Sequence, residues 1–105
     1  MKNLDNAKWI VLFISEKRDH SAEYKNTLDR MIEKVKKLPG FVHVQTFANE
    51  QNQNITISYW KDRTSISEWA RNNDHIEAQK KGIAKWYSKY QILVCSIQDY
   101  YDFGV

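Results

Sequence analysis

WKDRTSISEWARNNDHIEAQKKGIAKWYSKY, residues 60–90, holds three of the four tryptophans of the chain, two tyrosines, one of its three histidines and two helix starts in succession. Ser65 and Glu68 form a capping box ahead of a short helix bearing Ile66, Trp69 and Ala70. Asn72-Asn73 interrupts that helix, and Asp74 with Glu77 makes a second capping box. The helix it opens carries Ile76, Ile83 and Trp86 and runs to about Tyr87. A broken helix beside large aromatic rings favours a cavity over a closed core. His75 and Gln79 stand at the break, and Ala78 and Gly82, four apart, let the helix backbone approach a neighbour or a flat ligand closely.

Outward from this segment the rest of the chain falls into alternating elements. Trp9 to Ser15 is an unbroken apolar run rich in β-formers, expected as a strand buried on both faces. Ser21 serves as N-cap, with Glu23 in the first turn, for a helix whose apolar stripe is Tyr24, Leu28, Met31, Val35 and Leu38. Pro39-Gly40 ends it. Phe41 to Phe47 and Ile55 to Trp60 read as a hairpin around the polar turn 48–53. In the first of those strands Val42, Val44 and Thr46 alternate against Phe41, His43, Gln45 and Phe47. Tyr90 to Tyr101 is the last strand, with Ile92 and Val94 on one face and Leu93, Cys95 and Ile97 on the other.

The order β-α-β-β-α-β predicts an α+β, ferredoxin-like domain spanning residues 1–105: a four-stranded antiparallel sheet with its helices on one face. Two helices cover one face only, yet the first and last strands are apolar on both. Large exposed apolar patches are rare on monomers, so a homodimer packed through the free sheet face is expected. His43 belongs to that face.

Composition narrows the function class. With 42% hydrophobic and 13% aromatic residues over 105 positions the chain has enough for one core, and a net charge of +3 does not call for nucleic acid. Lys80, Lys81, Lys85 and Lys89 read as a solvated helix face, and the third strand, NITISYW, lacks the Gly-Phe-rich motif with which an RNA-recognition domain stacks bases. No run approaches the roughly 18 apolar residues of a membrane span. The lone Cys95 has no internal partner and no adjacent acid or base, which points to packing and to a cytoplasmic location. No His, Cys, Asp and Glu set has metal-ligand spacing.

The strand end ISYW (57–60), the ISEW helix (66–69) and the run 72–90 resemble the antibiotic biosynthesis monooxygenase domain family. The resemblance extends over nearly the whole chain and is most specific between Ile57 and Tyr90. It implies a dimeric α/β barrel, in which two ferredoxin-like sheets face each other, and a monooxygenase, an oxidoreductase that acts on quinol-like aromatics without metal or flavin. A haem-degrading branch of the family has a Trp on the short helix, an iron-ligating His ten residues later and an Asn on the first strand. Trp69 matches the first position, but Gln79 stands at the second and the first strand has no Asn. His75, four residues before Gln79, is the nearest imidazole, and a haem- or small-ligand-binding module without oxygenase activity is the alternative reading.

Cofactor-free oxygenation requires the substrate itself to supply the electron, as a phenolate or enolate in a dry pocket, with a base to take its proton and polar groups to steady the anion. His75 and Gln79 are the candidate catalytic pair, and Tyr59, Trp69, Trp86 and Tyr87 the candidate ligand-binding wall. Each has a plainer assignment as a core or capping residue, and the geometry of the folded chain decides between them.

Overall fold

The computed structural model describes residues 2–18 and 22–104. His20 and Ser21, the latter expected as the first helix cap, lie outside the described residues, as does the side chain of Asp74. The elements run β1 (Trp9–Lys17), α1 (Ala22–Val35), β2 (Phe41–Ala48), β3 (Gln53–Trp60), α2 (Arg63–Ala70), α3 (Asn73–Lys81), a π-helical turn (Gly82–Trp86) and β4 (Tyr87–Ser96). All neighbouring strands are antiparallel, in the order β2-β3-β1-β4. This is the expected ferredoxin-like sheet, with β1 in the middle because its uninterrupted apolar sequence suits the strand most enclosed by neighbours.

Strand register assigns the two faces. Val11 pairs with Ser58 and Val94, and Phe13 with Thr56 and Ile92, so these side chains share the face beneath the helices. Ile10, Leu12, Ile14, Ile57, Leu93 and Cys95 point the other way. A bulge between Phe41 and His43 changes the expected alternation of β2. Phe41 pairs with Trp60 and packs edge-on against its ring at 5.6 Å, which puts it under the helices with Val44, while His43, Gln45 and Phe47 stay on the open face.

Several boundaries differ from the sequence reading, each for a local reason. α1 closes at Val35, and Leu38 belongs to a following turn whose N–H bonds to the Val35 carbonyl at 3.1 Å. Both later helices start earlier than their capping boxes predict. Asp62 caps α2, its Oδ1 accepting from the Ser65 N–H at 2.8 Å, so Ser65 is buried in the first turn. Asn72 caps α3, its Oδ1 accepting from the His75 N–H at 3.2 Å, and Asp74 lies within the helix. The hairpin turn closes on Asn52 at φ 64°, a left-handed conformation that Asn tolerates, with Asn49 Oδ1 accepting from the N–H groups of Gln51 and Gln53.

The last strand begins at Tyr87 and ends at Ser96, because residues 82–86 wind into the π turn and 97–100 leave the sheet. Tyr100 ties that tail to the N-terminal segment: its hydroxyl accepts from the Leu4 N–H at 3.1 Å and donates to Asp102 at 2.7 Å. Gly40 lies where any Cβ would run into the Ser65 side chain, so the end of the α1 turn needs glycine for close approach to α2. Among the described residues the buried hydrophobics are only Ala7, Val35, Trp60 and Trp86. So few, in so apolar a chain, means that much of the remaining apolar surface lines an internal space or the uncovered sheet face. No helix among the described residues is long and apolar enough to cross a membrane.

Candidate functional site

Between the sheet and the helices lies a cavity of about 290 Å3. Its floor is Val11, Phe13, Thr56 and Ser58, and its roof includes Leu28, Met31, Trp69 and Ala78. Tyr90, Ile92 and Val94 line it while remaining 38%, 46% and 39% exposed, so the mouth lies along β4, an edge strand of the sheet.

His75, Gln79, Trp69, Trp86 and Tyr87 all line this space. Tyr59 does not. Its neighbours Ser58 and Trp60 face the helices, so strand alternation sends Tyr59 to the opposite face, where it stacks on His43 at 6.0 Å and accepts a 2.6 Å hydrogen bond from Gln45 Nε2. It belongs to the uncovered face.

The geometry around His75 is specific. The Asn72 cap fixes its backbone at the start of α3, just past the break that aims it back at α2. Its ring lies flat on Trp69, centroids 4.5 Å apart and planes 17° from parallel, and Nδ1 is 3.1 Å from the Trp69 carbonyl oxygen. A carbonyl only accepts, so the hydrogen sits on Nδ1, and Nε2 keeps its lone pair. No described residue bonds Nε2. Burial holds the imidazole pKa below its ordinary 6.5, opposed in part by the bond to Trp69. At neutral pH this is an uncharged base with one nitrogen locked and the other available. Gln79, one turn on, is on the same helical face.

Trp86 and Tyr87 enter from the π turn. Arg18 stabilises that turn by donating from Nε to the Lys85 carbonyl at 3.2 Å and from Nη2 to the Ile83 carbonyl at 3.1 Å, and its backbone N–H bonds the Trp86 carbonyl at 2.8 Å. These carbonyls would otherwise be left over where the wide turn abandons α-helical pairing. Lys81 and Lys85 both reach Glu23 of α1, at 3.5 and 3.6 Å, and Lys89 reaches Glu16 at 3.0 Å, so three of the four lysines read as a solvated face are ion-paired. Being half exposed, the Glu23 pairs contribute little each. Gly82 is required by its own neighbour: a Cβ there would lie 2.7 and 2.9 Å from ring carbons of Tyr87. The close approach expected of Gly82 is thus to a side chain five residues on.

Tyr87 packs edge-on to Phe13 at 5.3 Å, and its hydroxyl is bonded to Tyr24. Burial, with the Tyr24 bond second, pushes the Tyr87 pKa well above its ordinary 10.0, so it stays an O–H donor throughout the neutral range. Tyr24 is the member that sequence reasoning placed in the α1 stripe and not in the site. It meets Trp86 at 5.3 Å and Tyr87 at 6.0 Å, both edge-on, and carries Lys17 Nζ over its ring at 4.2 Å. The available signal was a hydroxyl-bearing ring on an otherwise aliphatic stripe.

The two most buried tryptophans differ in one respect. Trp60 Nε1 donates to Ser58 Oγ at 2.9 Å, whereas Trp86 Nε1, on a residue 3% exposed, has no partner among the described residues. Leaving a buried N–H unpaired costs roughly 1–3 kcal/mol.

Residues 8–94 match the family described as monooxygenase af470-like. The chain belongs to the monooxygenase af470-like family. Its relative YqjZ, an uncharacterized protein of Bacillus subtilis (strain 168), is 30% identical over 89 residues, which span 85% of this chain and 78% of YqjZ. Among solved structures, SnoaB, a cofactor-independent oxygenase from Streptomyces nogalater, superposes with a TM-score of 0.75 at 14% identity, covering 90% of this chain and 96% of SnoaB. Rv0793 from Mycobacterium tuberculosis superposes at 0.78 and 12% identity, covering 91% and 100%. An antibiotic biosynthesis monooxygenase does so at 0.73 and 11% identity, covering 87% and 99%. At such identities the shared property is the fold, and it is the fold implied by the resemblance of residues 57–90 to the antibiotic biosynthesis monooxygenase domains.

Proposed function

We propose that this member of the monooxygenase af470-like family is a cofactor-independent monooxygenase of a small, enolisable aromatic, quinol-like substrate, with the cavity between sheet and helices as its active site. The observation that carries this reading is His75: Nδ1–H spent on the Trp69 carbonyl, ring clamped on the Trp69 indole, and an unprotonated Nε2 left without a described partner on a cavity wall. Nε2 takes the enolic proton of the substrate. The resulting anion, in a space lined by Phe13, Trp69 and Trp86, is electron-rich enough to react with oxygen directly. Gln79 steadies its charge through its side-chain amide, and the Tyr87 ring, its O–H spent on Tyr24, forms part of the wall. The substrate carbon exchanges two hydrogens for one oxygen atom, and the second atom of O2 leaves with those hydrogens as water. No outside reductant enters the balance.

Anthrone is a suitable probe because it enolises and its oxidation to anthraquinone follows that stoichiometry. Oxygen uptake above the spontaneous rate is expected from the purified protein with chelator present and no flavin added, and is expected to vanish in His75→Gln. A wild-type rate equal to the blank for anthrone and for related enolisable ketones would end the oxygenase reading.

A haem-binding module of the same fold is the second reading, favoured by the same free Nε2, since a ring nitrogen held by a carbonyl is a common way of orienting a metal-binding imidazole. A cavity of about 290 Å3 is at the small end for ligand pockets and favours the smaller aromatic guest. Haem titration separates the two: a Soret shift that disappears in His75→Ala belongs to the second reading. In either case we propose a homodimer formed through the sheet face that bears Leu12, Ile57 and Leu93, the apolar surface the helices leave open.

A further inference from the structure

The floor of the cavity offers a hydrogen-bond donor whose direction the fold sets. Ser58 Oγ accepts from Trp60 Nε1 at 2.9 Å, so one lone pair is taken and the hydroxyl hydrogen points away from the indole. No described residue accepts that hydrogen. Ser58 sits in an interior strand, between Val11 of β1 and Val44 of β2, with its side chain under the helices. Its backbone is paired within the sheet, yet the residue is only half-buried, whereas Trp60 on the same face is 1% exposed. The surface Ser58 keeps is therefore that of Cβ and Oγ, which meet the cavity. The other hydroxyls of the lining differ. Thr56 bonds to Thr46 at 3.2 Å, Thr27 is buried and accepts from Arg30, and Tyr87 is bonded to Tyr24. Among the described residues no Asp, Glu, Lys or Arg lines the cavity, so no ionic anchor competes with Ser58.

We infer that Ser58 Oγ–H is the donor that holds a second ligand oxygen, and that the ligand is a planar aromatic carrying a hydroxyl and, across the ring system, a conjugated carbonyl. The hydroxyl meets His75 Nε2 on the helix side, and the carbonyl meets Ser58 on the sheet side. The assignment rests on the oxygenase reading of the cavity and adds the second anchoring atom. When the hydroxyl proton passes to Nε2, negative charge spreads through the ring onto the carbonyl oxygen, where the Ser58 bond strengthens. The Trp60 indole supports that bond from behind, because a hydroxyl that accepts one hydrogen bond donates a stronger one.

Three probes on one carbon skeleton test it: 6-hydroxy-1-tetralone has both oxygens, 1-tetralone only the carbonyl, and 5,6,7,8-tetrahydro-2-naphthol only the phenolic hydroxyl. Each is titrated into the wild-type protein while the four indole N–H signals are followed by NMR. The Trp60 signal, identified through its proximity to the Phe41 ring, is expected to move downfield with the two ketones and not with the phenol. In Ser58→Ala the ketones are expected to bind about fivefold to tenfold more weakly, the effect of one hydrogen bond, with affinity for the phenol nearly unchanged. Ser58→Thr, which keeps the hydroxyl, is expected to recover ketone binding. Equal weakening of all three probes in Ser58→Ala would mean that the hydroxyl serves only Trp60, and would overturn the inference. So would ketones that shift the Trp69 and His75 resonances and leave Trp60 unmoved, or that Ser58→Ala binds as tightly as wild type; the cavity then remains a ligand site. If no probe shifts any cavity resonance, both readings fall together. The wild-type titration decides the matter even if the variants do not fold.

Discussion

The two faces of one four-stranded sheet are built from the same strands and differ in what covers them. Under the helices Val11, Phe13, Ser58 and Ile92 line a cavity beside an imidazole held by a carbonyl, a bonded pair of tyrosine hydroxyls and a buried indole N–H without a described partner. On the other side Ile10, Leu12, Ile57 and Leu93 form an apolar surface with polar groups at its margins, the Gln45–Tyr59–His43 cluster on β2–β3 and the Glu16–Lys89 ion pair on β1–β4. A period of two separates them, so neighbours such as Tyr59 and Trp60 belong to different faces. The lesson is that in this fold aromatic content alone does not mark a site; the face on which the ring lies does.

The sharpest way to break this contrast is to disable one face and watch the other. His75→Gln is expected to lower kcat/KM for anthrone by about 10²–10⁴-fold, the usual range for a positioned general base, while the oligomeric mass stays the same. Residual activity near wild type would remove chemistry from the helix side. Leu12→Asp tests the open face. A charge placed in a packed interface is expected to cost roughly 3–5 kcal/mol, so light scattering should give twice 12.5 kDa for wild type and 12.5 kDa for the variant. A wild-type protein already at 12.5 kDa would refute the dimer.

Smaller effects sharpen the account of how the helix side is held in shape. Gly82→Ala forces a methyl group against the Tyr87 ring and should lower stability by about 1–3 kcal/mol by urea denaturation, although alanine is the better helix former. Asp62→Ala and Asn72→Ala should each cost about 1 kcal/mol as lost caps, with Asn72→Ala also loosening His75, whereas Glu68→Gln and Glu77→Gln should stay within about 0.5 kcal/mol. The reverse ranking would restore the capping boxes. The smallest effect is in pH. The folded-state pKa of His75 lies below 6.5, so the unfolded chain takes up this proton first. The associated stability is complete above about 6.5 and is lost as the pH falls from there through the lower folded value. His75→Gln should flatten that part of the stability profile, and the acid limb of kcat/KM in the wild type should have its midpoint below 6.5.

The fold was largely legible because each element carries a strong period: the apolar run of β1, the three-and-four spacing of α1, the turn residues around 48–53. The meeting of His75, Gln79, Trp69 and Trp86 on one cavity followed from the helix break and the aromatic density beside it. What was not legible depends on one-residue shifts. The bulge at Phe41 reversed a face, and Tyr59 fell on the wrong side once the register was set. Both capping boxes were outcompeted by Asp62 and Asn72, which sit earlier and bond the same first turns. The π turn had no pattern at all, since a widened turn conserves hydrophobicity while changing the count.

That count has a consequence for the family's tolerance of length change. Because the turn at 82–86 holds one residue more than an α-helical turn would, removing a single residue there could be absorbed by reverting to ordinary helix. The indole at 86 would then rotate by about 100° around the helix axis. If β4 were instead drawn along by one position, Leu93 and Cys95 would pass under the helices and Ile92 and Val94 would be turned outward. Insertions and deletions in this stretch therefore act as a selector: one route turns the Trp86 ring away from the cavity, and the other exchanges the lining of the cavity for the residues of the uncovered sheet face.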